Sequence, residues 1–406
     1  MSWEKVKFSK LYEIPSRNGL TKPSKVRGTG YKMINMGELF ANNRIYDIPM
    51  ELVPLTDSEK KNCKVERNDL LFARQSLVLE GAGKCSIVMK SSSMTVFESH
   101  LIRIRLNRTK AHPMFYYYYF LSPCSPIKSI VSQCAQAGIR GSELGELYVE
   151  LPPLATQRRI ADILSAYDDL IDNNRKQIKM LEEAAQRLYK EWFVDLRFPG
   201  HEHTKIVDGV PEGWGKLHIS DVCDTIGGGT PSTKVKEYYQ NGSIPWVTPT
   251  DITKNNSLVL LDTAAKITNE GLNNSSAKMV PPGTILMTSR ASVGFFGICN
   301  FPVCTNQGFI SCVPYQHDAQ MYLLYNLLNR VDEIRTKAGG STYLEISKKT
   351  FRDFEIVVPD TQVLTLFQIT AEKSIEQIRI LSTQILKLQQ ARDRLLPKLM
   401  SGEVEV

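Results

Sequence analysis

Two stretches of the 406-residue chain carry apolar side chains at alternating three- and four-residue steps. In the first, Leu164, Tyr167, Ile171, Asn174, Ile178, Leu181, Ala185, Leu188 and Trp192 make one stripe with a single amide in it. In the second, Ile378, Leu381, Ile385, Leu388, Leu395 and Leu399 make another, interrupted by Arg392. This spacing predicts two long helices, each with one coiled-coil seam. An apolar stripe has to be covered, and the other helix is the nearest complementary surface in the chain, so the two are expected to pair antiparallel. The competing arrangement docks each stripe on its own globular domain. Asn174 either fixes the register of the seam, as a buried amide does in other coiled coils, or marks an edge open to water.

What precedes each helix is also repeated. An apolar strand and a proline lead into Thr156-Gln157 in one case and Thr361-Gln362 in the other. The globular segments before the helices echo each other more weakly. Trp3, Val6, Phe8 and Leu11 align with Trp214, Leu217, Ile219 and Val222. GLTKPSK (19–25) and YKMINMGEL (31–39) echo GGTPSTK (228–234) and IPWVTPTDI (244–252); DLLFAR (69–74) and GAGKCSIV (81–88) echo TILMTSR (284–290) and VGFFGIC (293–299). Short β-rich runs (LLFA, CSIV, HLIRIRL, TILM, FISCV) alternate with Gly, Pro and Asn turns, and each series ends in a short helix, MFYYYYFL or MYLLYNLL. The tyrosines at 116–119, flanked by Met114 and Leu121, read as core in preference to a base-stacking platform. The class is α+β, with a pseudo-twofold internal repeat.

Charge adds an asymmetry. Residues 1–150 hold 22 Lys and Arg against 14 Asp and Glu, whereas residues 205–358 hold 14 of each, so the net charge of +7 belongs to the first segment. A basic half beside a neutral one suits a polyanionic partner. The longest apolar run, MFYYYYFL, is too short to cross a bilayer and MSWEKVKFSK lacks a secretory core, which points to the cytoplasm. Eight scattered cysteines (63, 85, 124, 134, 223, 299, 304, 312) without a C-x-x-C pair read as reduced and mostly buried. His201 and His203 lie in FPGHEHTK without a third ligand and read as incidental, so no metal is expected.

Catalytic motifs fail in turn. Gly227-Gly228-Gly229 runs into TPST and is not a dinucleotide-type turn; the Pro-Pro pairs at 152–153 and 281–282 lead to Leu and Gly and not to the aromatic ring of a flipped-base pocket. EGAGKC (80–85) has Val78 where a phosphate loop needs its leading Gly and Cys85 where it needs Ser or Thr. No carboxylate cluster with a following lysine suggests a nuclease.

Taken together, LPPLATQRRIADIL with LIDNN, IVVPDTQ with a terminal helix ending KLMSGE (398–403), GGTPSTK followed by YYQNGSIPWVTPTDI, and TNQGFI (305–310) resemble the specificity subunits of type I restriction-modification systems over essentially the whole chain. The resemblance implies two target-recognition domains, residues 1–152 and 200–358, separated by helical spacers 153–199 and 359–406 that pair as an antiparallel coiled coil. It implies that each domain reads one half of a bipartite, asymmetric double-stranded DNA site without catalysis. It implies two methyltransferase subunits assembled on the chain, which restriction and translocase subunits can join, and S-adenosylmethionine, ATP and Mg on those partners, with no cofactor here. Leu164 to Trp192 would span about 43 Å as a helix, comparable with the ~34–36 Å of one DNA turn, so helix length would act as a ruler.

Phosphate contacts call for Lys and Arg on loops, and base reading for Arg, Lys, Asn or Gln with two-point geometry. The candidates are Lys22, Lys25, Arg27, Arg74 and Arg140 in the first domain and Lys234, Lys236, Arg290, Lys348 and Lys349 in the second, each set against an ordinary solvated surface charge.

Overall fold

A computed structural model describes residues 3–133, 137–340 and 343–406; Cys134 lies outside them. The chain divides into two compact units, Met1–Leu170 with Leu388–Val406, and Ile171–Lys387. The helices that organise them are α1 (Met36–Ala41), α2 (Pro113–Leu121), α3 (Leu154–Tyr189), α4 (Gln320–Asn329) and α5 (Thr361–Met400). Both long helices therefore contribute to both units.

Unit 1 is built on a five-stranded sheet whose strands run in the order Tyr12–Asn18, Leu101–Leu106, Leu70–Ala73, Cys85–Val88, Arg44–Ile45. The run LLFA is buried on both faces. Leu70 and Phe72 enter one apolar cluster with α2, while Leu71 and Ala73 enter another with Met33, Val96 and Phe97 from a three-stranded sheet. This is the two-residue period of a strand expressed as two cores. Glu4–Lys7 and Tyr148–Leu151 close the unit as an antiparallel pair.

Unit 2 repeats the plan. Its central sheet runs Cys223–Gly227, Phe309–Pro314, Ile285–Thr288, Phe296–Ile298, with Ile285 and Met287 facing the α4 cluster and Leu286 facing the opposite one. Gly215–His218 pairs with Glu355–Val358 as the counterpart of the unit 1 closure. The Trp3 and Trp214 alignment is thus a true register: Phe8 N–H donates to Leu147 O at 2.8 Å and Ile219 N–H to Phe354 O at 2.9 Å.

The aromatic helix α2 is core, every residue from Pro113 to Phe120 being buried. Tyr116 donates its hydroxyl to Glu150 O at 2.9 Å, and Tyr322 on α4 does the same to Val357 O. Neither helix ends its repeat, because the closing strand and the long helix follow it.

The long helices run antiparallel in unit 2. Asn174 Nδ2 donates to Gln384 Oε1 at 3.1 Å, and further along α3 Tyr189 packs edge-on to Phe367 with ring centroids 6.1 Å apart. Asn174 is 6% exposed, so it occupies a closed seam position and is not a wet edge. The stripes are shared, however. Ile178, Ala185, Ile378 and Leu381 belong to the same cluster as the sheet residues Ile285 and Ile310, so pairing and docking on the unit's own sheet are satisfied together. In unit 1, Leu164 likewise joins Leu396, Leu399 and the α2 aromatics. Of the remaining stripe residues, Ile171 is buried, and Tyr167, Leu181, Leu188, Ile385, Leu388 and Leu395 are half-buried. The interruption at Arg392 is a paired charge: its guanidinium contacts buried Asp168, which also accepts from Tyr118 Oη at 2.7 Å.

Gln157 is buried and accepts from His112 N at 2.8 Å at the start of α2, while its Nε2 donates to Pro152 O at 2.8 Å. The matching contact in unit 2, Met321 N to Oε1 at 2.9 Å, comes from Gln368, whereas Gln362 is exposed. Gln157 is the fourth residue of its helix and Gln368 the eighth, so the same face delivers the same amide one turn later and the matching Thr-Gln dipeptides are not equivalent.

Candidate nucleic-acid interface

Equivalent positions in the two units can be assigned by backbone hydrogen bonds. Leu20 N–H donates to Phe97 O at 2.8 Å and Gly229 N–H to Thr305 O at 2.9 Å. Arg74 N–H donates to His100 O at 2.7 Å and Ser289 N–H to Gly308 O at 2.8 Å; Ile139 N–H reaches Arg74 O at 2.9 Å and Ile346 N–H reaches Ser289 O at 3.0 Å. These bonds bring four loops together in each unit. They also show that DLLFAR and TILMTSR do not align on their arginines: Ser289 is the counterpart of Arg74, and Gln75 that of Arg290.

Glycine is required where the first of these loops crosses the sheet edge. A Cβ on Gly228 would lie 2.1 Å from Asn306 O, and one on Gly19 would lie 2.1 Å from Phe97 O. The second glycine of unit 2, Gly229, is equally constrained, with Ser276 Oγ 2.3 Å from a built Cβ, and its carbonyl accepts from Trp246 Nε1 at 3.0 Å. Gly228 and Gly229 are thus a packing device at the edge of a sheet.

In unit 2 the loops enclose two adjoining recesses. One, of about 340 Å³, is lined by Pro249, Arg290, Ala291, Asn306, Gln307, Gly308 and Tyr343. The other, of about 570 Å³, is lined among others by Gly228, Lys278, Gln307, Glu345 and Lys348. Gln307 belongs to both, and its carboxamide oxygen accepts from the Thr230 hydroxyl. Arg290 lies 3.6 Å from Glu345, with both side chains about half exposed, so the pair is solvent-screened and available for exchange. Ala291 holds a φ of 60°, a left-handed conformation that turns the loop sharply after Arg290. Two-point donors and acceptors (arginine, asparagine, glutamine) beside a lysine and an exposed tyrosine are suited to base edges and phosphates.

The equivalent recess in unit 1, about 370 Å³, has a different lining: Met36, Phe40, Gln75, Ser76, Leu77 and His100. None of the five cationic candidates of this unit lines it. Lys22 is ion-paired with Glu59 at 2.8 Å, and Arg27 with Glu51 at 2.6 Å while donating to Lys22 O at 2.8 Å, so both brace their loop. Lys25 is exposed on a 3-10 turn. Arg74 is half-buried on the edge of the site and Arg140 is exposed one residue after Ile139. In unit 2, Arg290 and Lys348 line the recesses, while Lys234, Lys236 and Lys349 are exposed and line neither. Gln75, His100, Asn306, Gln307 and Tyr343 were missed from the sequence; only the strand register that superposes the repeats brings them forward.

Lys84, the lysine of EGAGKC, donates to Phe40 O at 2.7 Å and is committed to packing, with burial drawing its pKa down. Burial raises the Cys299 thiol to about 11 and Cys304 to about 12, so neither is a nucleophilic thiolate near neutrality. Six of the seven described cysteines are buried. Among the described residues no group of three or more His, Cys, Asp or Glu could hold a metal, and no helix is long and apolar enough to cross a membrane. His201 Nδ1 instead lies 2.8 Å from Phe198 O.

Comparison with known proteins agrees with this arrangement. The family model described as "Type I restriction modification DNA specificity domain" matches residues 1–183 and 211–383. The chain is 24% identical to the HindI specificity subunit of Haemophilus influenzae, the match covering 91% of this chain and 94% of that one. It is 34% identical to the MjaIX specificity subunit of Methanocaldococcus jannaschii, over 44% of this chain and 43% of that one, so this match spans less than half the relative's length. The fold is that of the S subunit of a type I restriction-modification system from M. genitalium, at a TM-score of 0.61, 16% identity and coverage of 98% and 96%. The chain belongs to the DNA specificity subunits of type I restriction-modification systems.

Proposed function

We propose that this chain recognises double-stranded DNA without catalysing its modification or cleavage, each unit reading one part of a bipartite, asymmetric site. The observation that carries the proposal is the repeated frame of four loops, matched in three backbone hydrogen bonds, whose recesses differ in lining, with Arg290, Asn306 and Gln307 in one unit and Gln75 and His100 in the other. Two equal frames with unequal surfaces suit two unequal half-sites.

The paired helices set the gap between the half-sites and dock two methyltransferase subunits; restriction and translocase subunits join that core. S-adenosylmethionine, ATP and Mg bind those partners and not this chain. Outward apolar side chains such as Met180, Leu386 and Leu170 are exposed on the helices, as a protein partner would require.

Methylome sequencing of the host with and without the gene gives the test: one gapped motif should vanish with the gene. Removing a heptad from each helix should shorten the gap and leave both half-sites unchanged. A modification complex that did not distinguish random duplexes from the selected site would overturn the proposal, as would stoichiometric binding of S-adenosylmethionine by this chain alone.

A further inference from the structure

The unit 1 recess carries an apolar loop with no counterpart in unit 2. Arg74 to Gly83 spans ten residues, whereas the equivalent Ser289 to Gly294 spans six. The additional residues include Leu77, Val78 and Leu79, which are 90%, 59% and 45% exposed, and Leu77 lines the recess beside Met36 and 40%-exposed Phe40.

This apolar group is held in place. Lys84 donates to Phe40 O and sits 5.2 Å from the centroid of its ring. Gly81 packs so closely that a Cβ would lie 2.2 Å from Ser76 Oγ and 3.1 Å from Phe40 Cζ. Val78 N–H donates to Ser76 Oγ at 3.2 Å, fixing the turn that presents Leu77.

Position and charge indicate the occupant. The recess is the structural equivalent of the one that holds Arg290, Asn306 and Gln307, half-buried Arg74 adjoins its lining residue Gln75, and it lies in the half that carries the excess of basic residues. A nucleic-acid surface fits that setting. The apolar group that an intact duplex displays on a base edge is the C5-methyl of thymine, in the major groove. Inserting Leu77 between base pairs would in addition demand unstacking, at a cost of a few kcal/mol.

We propose that Leu77, which projects at the recess it lines with Met36 and Phe40, reads a thymine C5-methyl group in the half-site of unit 1. This rests on the DNA-reading function proposed above. Unit 1 then specifies a base through apolar contact, while unit 2 does so through hydrogen bonds to base edges.

The test uses the chain assembled with its methyltransferase subunits and the duplex found by methylome sequencing. The half-site of unit 1 is the one whose specificity survives Arg290→Ala. Replacing each of its thymines in turn by deoxyuridine removes one methyl group and nothing else. At one position affinity should fall about 4-fold, as loss of one buried methyl group implies. Leu77→Ala should cause a similar fall on the thymine duplex and make the complex indifferent to the uracil substitution. Full tolerance of uracil at every position, or a half-site without thymine on either strand, would overturn the proposal. So would a 2-aminopurine fluorescence rise, lost in Leu77→Ala, with no uracil effect, because that describes an intercalating wedge. Loss of sequence preference by the unmodified complex would overturn the underlying DNA-reading function instead.

Discussion

The helix pair of unit 1 is locked by a charge and that of unit 2 by an amide. In unit 1, Arg392 meets Asp168, 8% exposed at its side chain, and Tyr118 donates to the same carboxylate; in unit 2, Asn174 meets Gln384. The recesses reverse this contrast, unit 1 being apolar with a projecting leucine and unit 2 polar with an arginine. Duplication has preserved what the backbone needs, the glycine crossing, the strand closure and the tyrosine hydroxyl bound to a strand carbonyl, and released the side chains that face outward or meet across a seam.

The largest expected effect comes from breaking the charged lock. Arg392→Leu should destabilise unit 1 by about 3 kcal/mol, because it leaves a buried carboxylate with one neutral donor. Asn174→Leu should change unit 2 by less than about 1 kcal/mol, or stabilise it while loosening register. Hydrogen exchange resolved by unit measures both, and equal losses would remove the contrast.

The amides at the helix starts come next. Gln157→Ala and Gln368→Ala should each cost about 2 kcal/mol, since the first leaves a part-buried backbone N–H unpaired and empties a buried amide site, and the second strands a buried backbone N–H. Gln362→Ala should lie within about 0.5 kcal/mol of the parent, as exposed substitutions do. Denaturant titration of the three variants tests whether the equivalence is structural or merely textual.

At the recesses, Arg290→Ala should cost the assembled complex about 1–3 kcal/mol of discrimination at one base pair, and Lys348→Ala should reduce the slope of log affinity against log salt by about 1 with sequence preference intact. Competition binding at several salt concentrations separates the two.

The smallest effect is a pH dependence. Burial, reinforced by Arg158 and Arg108 and opposed by Asp162, holds the His112 imidazole below its usual 6.5. A depressed folded-state pKa contributes stability above the unfolded value that is lost as pH falls through the folded one. Between pH 7 and 5, α2 should therefore lose exchange protection slightly more in the parent than in His112→Gln, with α4 unaffected.

Periodicity was enough to find both long helices and the buried aromatic helix, because a 3.6-residue stripe and an apolar run are written locally. It could not distinguish mutual pairing from docking, since Ile178 and Ile378 do both against Ile285. It read Arg392 as an interruption because the charge that completes it, Asp168, lies 224 residues earlier. Charge on a turn-like stretch selected Lys22 and Arg27, which the fold pairs with Glu59 and Glu51.

What the sequence determined by itself is the duplicated architecture and the family, both carried by local patterns and by motifs long enough to be specific. The tertiary structure decided which positions are equivalent and what each recess offers. Gln75 answers to Arg290, Gln368 to Gln157, and Leu77 has no partner, because strand register and a helix turn, set by packing over long separations, assign those roles and adjacent letters do not.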